Sequence, residues 1–407
     1  MDLSQNNYSE LFHGGQFSPL EEMLVVKPEN RKLVIGVPRE CAFLENRISL
    51  VPDAVALLVQ HGHHIMIETD AGKAAHFTDH EFSEMGAEIV YDTRKVFSAE
   101  IILKVAPITA EETEMLGNKQ ALISSLHTSG ITEEYFRRLL NKRTTSIAFE
   151  FIQDKAGTFP VIRAMSEIAG NTSMLVAAEY MSHPEYGRGK MLGGFSGISP
   201  TEVVILGAGT VGEYAARAAL GMGAFVKIFD NSVYKLRRLQ NNLNTRVYTS
   251  MLHPRSLLAA LQTADVVIGA VHSAYGRTPC IVSEDMVSQM KEGAVIIDVS
   301  IDQGGCFETS RLTDHKNPVF KKYGVTHYCV PNIPSKVPNT ASYAFSNFLT
   351  PILLDIGEKG GIENALRSDF GVRQGVYLFN GTCTNKFLSD SYHLPFQDIN
   401  LLMAAFH

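Results

Sequence analysis

Glu202-Val203-Val204-Ile205-Leu206-Gly207-Ala208-Gly209-Thr210-Val211-Gly212, continued by Glu213 to Met222 and then Gly223-Ala224-Phe225-Val226-Lys227-Ile228-Phe229-Asp230, is the stretch whose reading decides the fold. The short apolar run Val203 to Leu206 predicts a buried strand, and the glycines a tight turn. Val211 to Met222, rich in small residues, predicts a helix, and Phe225 to Phe229 a second strand. The unit is β-turn-α-β.

The spacing of the glycines has a chemical reason. Gly207 permits a sharp reversal, Gly209 lets backbone N–H groups approach a pyrophosphate, and Gly212 lets the helix pack close to the strand. The positive end of the helix then faces the phosphates. Asp230 ends the second strand about twenty residues on, where a carboxylate accepts hydrogen bonds from both ribose hydroxyls of an adenosine. A 2′-phosphate would be repelled there, so the expected cofactor is NAD rather than NADP. A structural copy of the fold that holds no nucleotide is the plainer alternative.

Composition bounds the rest. With 407 residues the chain is too long for one ordinary core, and two domains are expected. At 45% hydrophobic and 19% charged it reads as an ordinary globular chain, and a formal charge of −7 without a basic block argues against a nucleic-acid partner. Five scattered cysteines without C-x-x-C spacing suggest neither a disulfide framework nor a zinc site, which suits a cytoplasmic location. No basic-then-apolar leader opens the chain and no apolar stretch is long enough to span a bilayer, so no membrane role is expected.

Outward from the glycine turn, residues 1–30 read as an arm with one helical turn around Leu20 to Val25. From Lys32 a regular alternation begins: strand Leu33 to Val37, helix Pro52 to His61, strand His64 to Glu68, helix Asp79 to Met85 and strand Ile101 to Val105. Strand Ala121 to Leu126, helix Thr132 to Leu140 and strand Thr145 to Phe151 continue it. Val161 to Met181 predicts a long helix leading into the glycine-turn unit. Strands follow at Arg246 to Tyr248, Asp265 to Ala270, Ala294 to Val299 and His327 to Val330. Thr340 to Gly357 predicts an apolar helix interrupted at Pro351 that packs back on the first domain. The expected fold class is α/β: two doubly wound, Rossmann-like domains with a cleft between them, the cofactor domain (161–338) inserted into a substrate domain made of 31–160 and 339–407.

Ligands of open α/β sheets sit beyond the carboxyl ends of the strands. Three polar side chains of the first domain fall there, each after a different strand: Arg47, Lys104 and His127. Asp302 follows the strand Val295 to Ser300 of the second domain and faces the cleft from the other side. A guanidinium, an ammonium, an imidazole and a carboxylate around a nicotinamide suit a small carboxylate whose α-carbon exchanges hydride. Each also has an ordinary reading: a surface ion pair for Arg47, a solvated edge charge for Lys104, a loop histidine for His127, a turn former for Asp302. Val271 and His272, after the strand ending at Ala270, lie where a nicotinamide ribose would reach. His61, His63 and His64 sit between a helix and a strand without ligand spacing, so no metal is expected.

These residues resemble those of the alanine dehydrogenase family, which also includes the NAD(H)-binding component of transhydrogenase. The most specific segments are Ile35-Gly-Val-Pro-Arg-Glu40 with Arg47, Met165-Ser-Glu-Ile-Ala-Gly170, Ile205 to Gly212, Ile301-Asp-Gln-Gly-Gly-Cys-Phe-Glu308 and Cys329-Val-Pro-Asn-Ile-Pro334. The resemblance covers about Lys32 to Asn385. It implies that Arg47 holds a substrate carboxylate, that His127 is the acid/base, and that Asp302 assists imine formation and hydrolysis. By the same matching, Ser166, Thr210, Val211, Asp230, Lys235, Arg311, Val330, Asn332 and Ile333 contact the cofactor. The implied reaction interconverts L-alanine, NAD and water with pyruvate, ammonium and NADH, in a homohexamer. One departure stands out: the family usually reads Lys-Val-Lys-Glu-Pro where this chain has Lys104-Val105-Ala106-Pro107, so its second, substrate-binding lysine has no match. Lys104, two places earlier on the same face, is expected to substitute by shifting its head group. A transhydrogenase component, a catalytically silent relative and an opine-type dehydrogenase are the alternatives.

Overall fold

A computed structural model describes residues 30–42, 44–126, 131–273 and 276–405. The expected arm and His127 lie outside the described residues. Strands Val34–Val37, His64–Glu68, Glu88–Val90, Ile101–Leu103, Ala121–Ser124 and Thr145–Ala148 (β1–β6) form one sheet. After the helix Pro160–Ser182, strands Glu202–Leu206, Phe225–Phe229, Tyr248–Ser250, Val266–Gly269, Val295–Asp298, Val319–Lys322 and Val325–Tyr328 (β7–β13) form a second. The helix Pro338–Glu358 carries the chain back, and Val376–Phe379 and Thr382–Cys383 (β14, β15) join the first sheet.

The sheet orders are β15-β14-β6-β5-β4-β1-β2-β3 and β12-β13-β11-β10-β7-β8-β9. In each, the chain runs outward over three strands and then returns beside its starting strand. The order therefore reverses between β1 and β4 in the first sheet and between β7 and β10 in the second. A crevice opens at such a reversal, because the two following loops depart in opposite directions. The Arg47 and Lys104 loops follow β1 and β4, while the glycine turn and the His272 loop follow β7 and β10.

Both sheets are covered on both faces, and the period of two along the strands shows it. Ile101 and Leu103 belong to one apolar cluster and Ile102 to another. Val203 and Ile205 face one layer and Val204 and Leu206 the opposite one. Strands buried on both sides must be apolar throughout, hence the runs that marked them.

The structure corrects several expectations. The return helix is continuous through Pro351. Phe345, Leu349, Leu353 and Ile356 form its buried stripe in the first core, and four such side chains at about 1.5–3 kcal/mol each outweigh the roughly 3 kcal/mol that an interior proline costs. Pro351 itself is exposed. Two strands sit a few residues from their expected places, at Tyr248–Ser250 and Val325–Tyr328, and β6 gives way to a 3-10 turn at Phe149–Phe151. The β14–β15 hairpin was not foreseen, although Asn380-Gly381, with φ of 45° and 81°, is a turn that this dipeptide favours.

Candidate active site

The glycine turn is shaped by contact. Gly207 has φ +110°, and a Cβ there would lie 2.3 Å from the Ala270 oxygen; a Cβ on Gly212 would lie 2.0 Å from the Gly207 oxygen. At Gly209, by contrast, nothing lies within 4 Å of that position, so the backbone is open to an incoming group. The helix Thr210–Gly221 begins there without a side-chain cap, leaving its first N–H groups to a ligand. Asp230 stands over the turn: its carboxylate accepts from the Ala208 N–H at 2.8 Å and the Ser232 N–H at 2.7 Å. Two backbone donors fix the carboxylate's position and leave lone pairs for ribose hydroxyls. Open backbone, an uncapped helix end and a fixed carboxylate fit the adenosine and pyrophosphate of a dinucleotide.

The other residues expected to touch a cofactor have the following surroundings. Lys235 is exposed on the helix Val233–Leu243; burial, and to a lesser degree the Lys235 charge, lowers the pKa of His272. The Val271 N–H donates to Ser300 Oγ at 2.9 Å, and His272 lies 3.4 Å from the Gln303 amide. Arg311 packs over the Phe320 ring at 4.1 Å, and that ring stacks on His327. Ser166 is half-buried on the helix Pro160–Ser182; Val330 and Ile333 are buried and Asn332 adopts φ 53° between them.

Arg47 is far from a surface ion pair, since its side chain is only 7% exposed. Nε and Nη2 donate to Glu45 at 2.6 and 2.5 Å, Nη1 approaches Met165 Sδ at 3.4 Å, and the guanidinium lies 5.1 Å from the Phe345 ring centre. Glu45 also accepts from Asn332 Nδ2 at 3.1 Å, and the Asn332 N–H donates to Asp302 Oδ1 at 2.8 Å. Arg47 and Asp302, after strands of different sheets, thus end one hydrogen-bonded chain through Glu45 and Asn332.

Lys104 is placed otherwise than expected. It is fully buried, with Nζ 2.6 Å from Glu112 and 3.5 Å from Glu40. Burial pulls its pKa down, but the two carboxylates outweigh that and raise it, so the ammonium stays charged and engaged. Its head group is thus engaged by two carboxylates inside the protein. Burial drives Glu40 the other way, up to about 7, against the lowering effects of Lys104 and the Val105 N–H.

The sequence reading gave no role to Glu45, Glu40, Glu112 or Glu150. Glu40 and Glu45 both precede Arg47 in the very segment that carries the resemblance, and a carboxylate two residues before an arginine after a strand is a signal in the sequence. Glu150 accepts from the Leu126 N–H at 2.5 Å, one residue before His127, while its other oxygen is buried with no partner among the described residues. Burial raises its pKa to about 7.

Fold and site together define a two-lobed, dinucleotide-binding α/β protein with a buried arginine whose carboxylate partner bonds to the other lobe. Comparison with known proteins narrows this. Residues 36–169 match the model of the alanine dehydrogenase/PNT N-terminal domain, and residues 173–386 that of the C-terminal domain. The chain belongs to the alanine dehydrogenase/PNT family. It is 37% identical over 368 residues to an alanine dehydrogenase of Staphylococcus saprophyticus, covering 90% of this chain and 99% of that one. With an alanine dehydrogenase of Mycolicibacterium smegmatis the identity is 38% over 373 residues, covering 91% and 100%. A solved L-alanine dehydrogenase superposes with TM-score 0.82 at 35% identity, over 89% of this chain and 99% of that one. A transhydrogenase from Sinorhizobium meliloti, at TM-score 0.74 and 20% identity over 87% and 99% of the two chains, shares the fold.

Proposed function

We infer that this chain is an NAD-dependent alanine dehydrogenase, interconverting L-alanine, NAD and water with pyruvate, ammonium and NADH. The observation that carries the reading is the buried Arg47, joined through Glu45 and Asn332 to Asp302 of the other lobe. A guanidinium sunk between Met165 and Phe345 suits a small carboxylate with a small apolar side chain. Among the described residues no helix is long and apolar enough to cross a membrane.

The cofactor supplies the hydride acceptor or donor when bound. Gly207, Gly209 and the helix start at Thr210 and Val211 hold its phosphates, and Asp230 holds its adenosine ribose. Arg47 orients the substrate carboxylate. Asp302, in the 3-10 turn Val299–Gln303 that follows the strand Val295–Asp298 on the cofactor side, assists the proton movements of imine formation and hydrolysis. His127 gives and takes the proton on the substrate oxygen, a role that rests on the motif match and on its place after β5. These protons must move on and off oxygen and nitrogen in each direction, which is work for groups that titrate near neutrality. The family resemblance supports a homohexamer, and five free thiols suit a cytoplasmic setting.

The test is direct. Purified protein is mixed with NADH, ammonium and a panel of 2-oxo acids, and NADH absorbance is followed. Rapid loss with pyruvate and slower loss with bulkier acids is expected; NADH binding without turnover of any acid would favour a silent relative instead.

A further inference from the structure

Glu45 accepts hydrogen bonds from residues of both lobes. Its Oε1 accepts the Arg47 backbone N–H at 3.1 Å and Nε at 2.6 Å, and its Oε2 accepts Arg47 Nη2 at 2.5 Å and Asn332 Nδ2 at 3.1 Å. The side chain is 4% exposed. Four donors on one buried carboxylate are more than charge neutralisation requires, and they come from two lobes of the molecule.

The pairing also selects which part of the guanidinium remains for a ligand. Arginine carries five N–H donors. Glu45 takes the Nε edge, and the contact of Nη1 with Met165 Sδ at 3.4 Å is with a weak acceptor. A substrate carboxylate can therefore engage Nη1 and the second Nη2 hydrogen by displacing a thioether rather than a carboxylate. Asn332, on the other side of Glu45, donates its own N–H to Asp302. Rotation of the Glu45 carboxylate would thus disturb the anchor and the cofactor-side acid together.

We propose that Glu45 is a positioning residue for the dehydrogenase reaction: it aims Arg47 at the substrate carboxylate and, through Asn332, ties that aim to the lobe carrying Asp302. The proposal rests on Arg47 being the carboxylate anchor. Glu45 itself does not touch the reacting atoms; it sets where the substrate stands relative to the other lobe.

The experiment compares Glu45→Gln, Asn332→Ala, their double variant and Arg47→Met in the full-length protein. Pyruvate KM, kcat and NADH affinity by fluorescence titration are measured for each, with thermal unfolding to verify that each is folded. Glu45→Gln keeps one acceptor oxygen but loses the bidentate hold, and should raise pyruvate KM about tenfold or more while NADH affinity stays within about twofold. The double variant should raise KM no further than the worse single variant, because both break one chain. A Glu45→Gln KM that is unchanged or lower, the latter meaning that Glu45 competes with substrate for Arg47, overturns the proposal. Multiplicative effects of Glu45→Gln and Asn332→Ala overturn the tie between the lobes. If Arg47→Met leaves KM unchanged, it is the anchor reading beneath the proposal that fails, and the two failures are told apart by that control.

Discussion

Lys104 shows how strongly burial decides the meaning of a residue. As a sequence position it is a lysine at a strand end; in the fold it is a fully buried cation between Glu40 and Glu112. Lys104→Met should leave two carboxylates uncompensated, and breaking a buried pair this way costs about 3–5 kcal/mol. The expected result is a large drop in the denaturant midpoint, with NADH binding preserved wherever the variant remains folded. Glu150 gives a pH prediction. Its pKa rises from 4.5 in the unfolded reference to about 7 in the fold, so between those values the folded chain keeps a proton that the unfolded chain has lost. Stability therefore falls as pH rises through that window, by about 3 kcal/mol for this group. Glu40, raised to about 7 as well, contributes in the same window, so Glu150→Gln should make the fall shallower without abolishing it, and urea titrations at pH 5 and pH 8 would reveal it; equal slopes for variant and parent would contradict the assignment.

Among the elements, the strand–turn–helix unit separates folding from binding within three residues. Gly207→Ala forces a side chain into a left-handed backbone and against the Ala270 oxygen at 2.3 Å, so a loss of several kcal/mol of stability is expected. Gly209→Ala meets open space and should change the melting temperature little, yet weaken NADH binding about tenfold or more if, as proposed, the pyrophosphate approaches there. Thermal unfolding and a fluorescence titration on both variants check the contrast. The return helix teaches a related lesson: local propensity at Pro351 predicts a break, but an apolar stripe docked into the first core overrides it.

At the scale of the molecule, the two lobes divide the labour, and variants on either side should fail differently. His127→Ala should lower kcat by about 10²–10⁴-fold with NADH affinity nearly unchanged, whereas Asp230→Ala should weaken NADH about 10–100-fold with a smaller effect on kcat at saturation. Steady-state kinetics beside cofactor titration distinguish them, and equal losses in both quantities would contradict the division. The lobes are not independent, because the Asn46 N–H donates to Ser335 Oγ at 2.9 Å and Glu45 meets Asn332 at 3.1 Å.

What the sequence determined by itself is what short-range sterics and periodicity control. The reversal at Gly207, the carboxylate about twenty residues later, the alternation of apolar runs and the placing of Arg47 and Asp302 after strands each depend on residues near one another in the chain. Only the tertiary structure decided which charges are paired. Glu45 meets Asn332 across a separation of 287 residues, and Lys104 meets Glu40 and Glu112 inside a core that no local pattern describes. Burial and partner choice are properties of the assembled sheets, and in a low-dielectric interior those two properties fix whether a charged side chain anchors a substrate or holds the protein together.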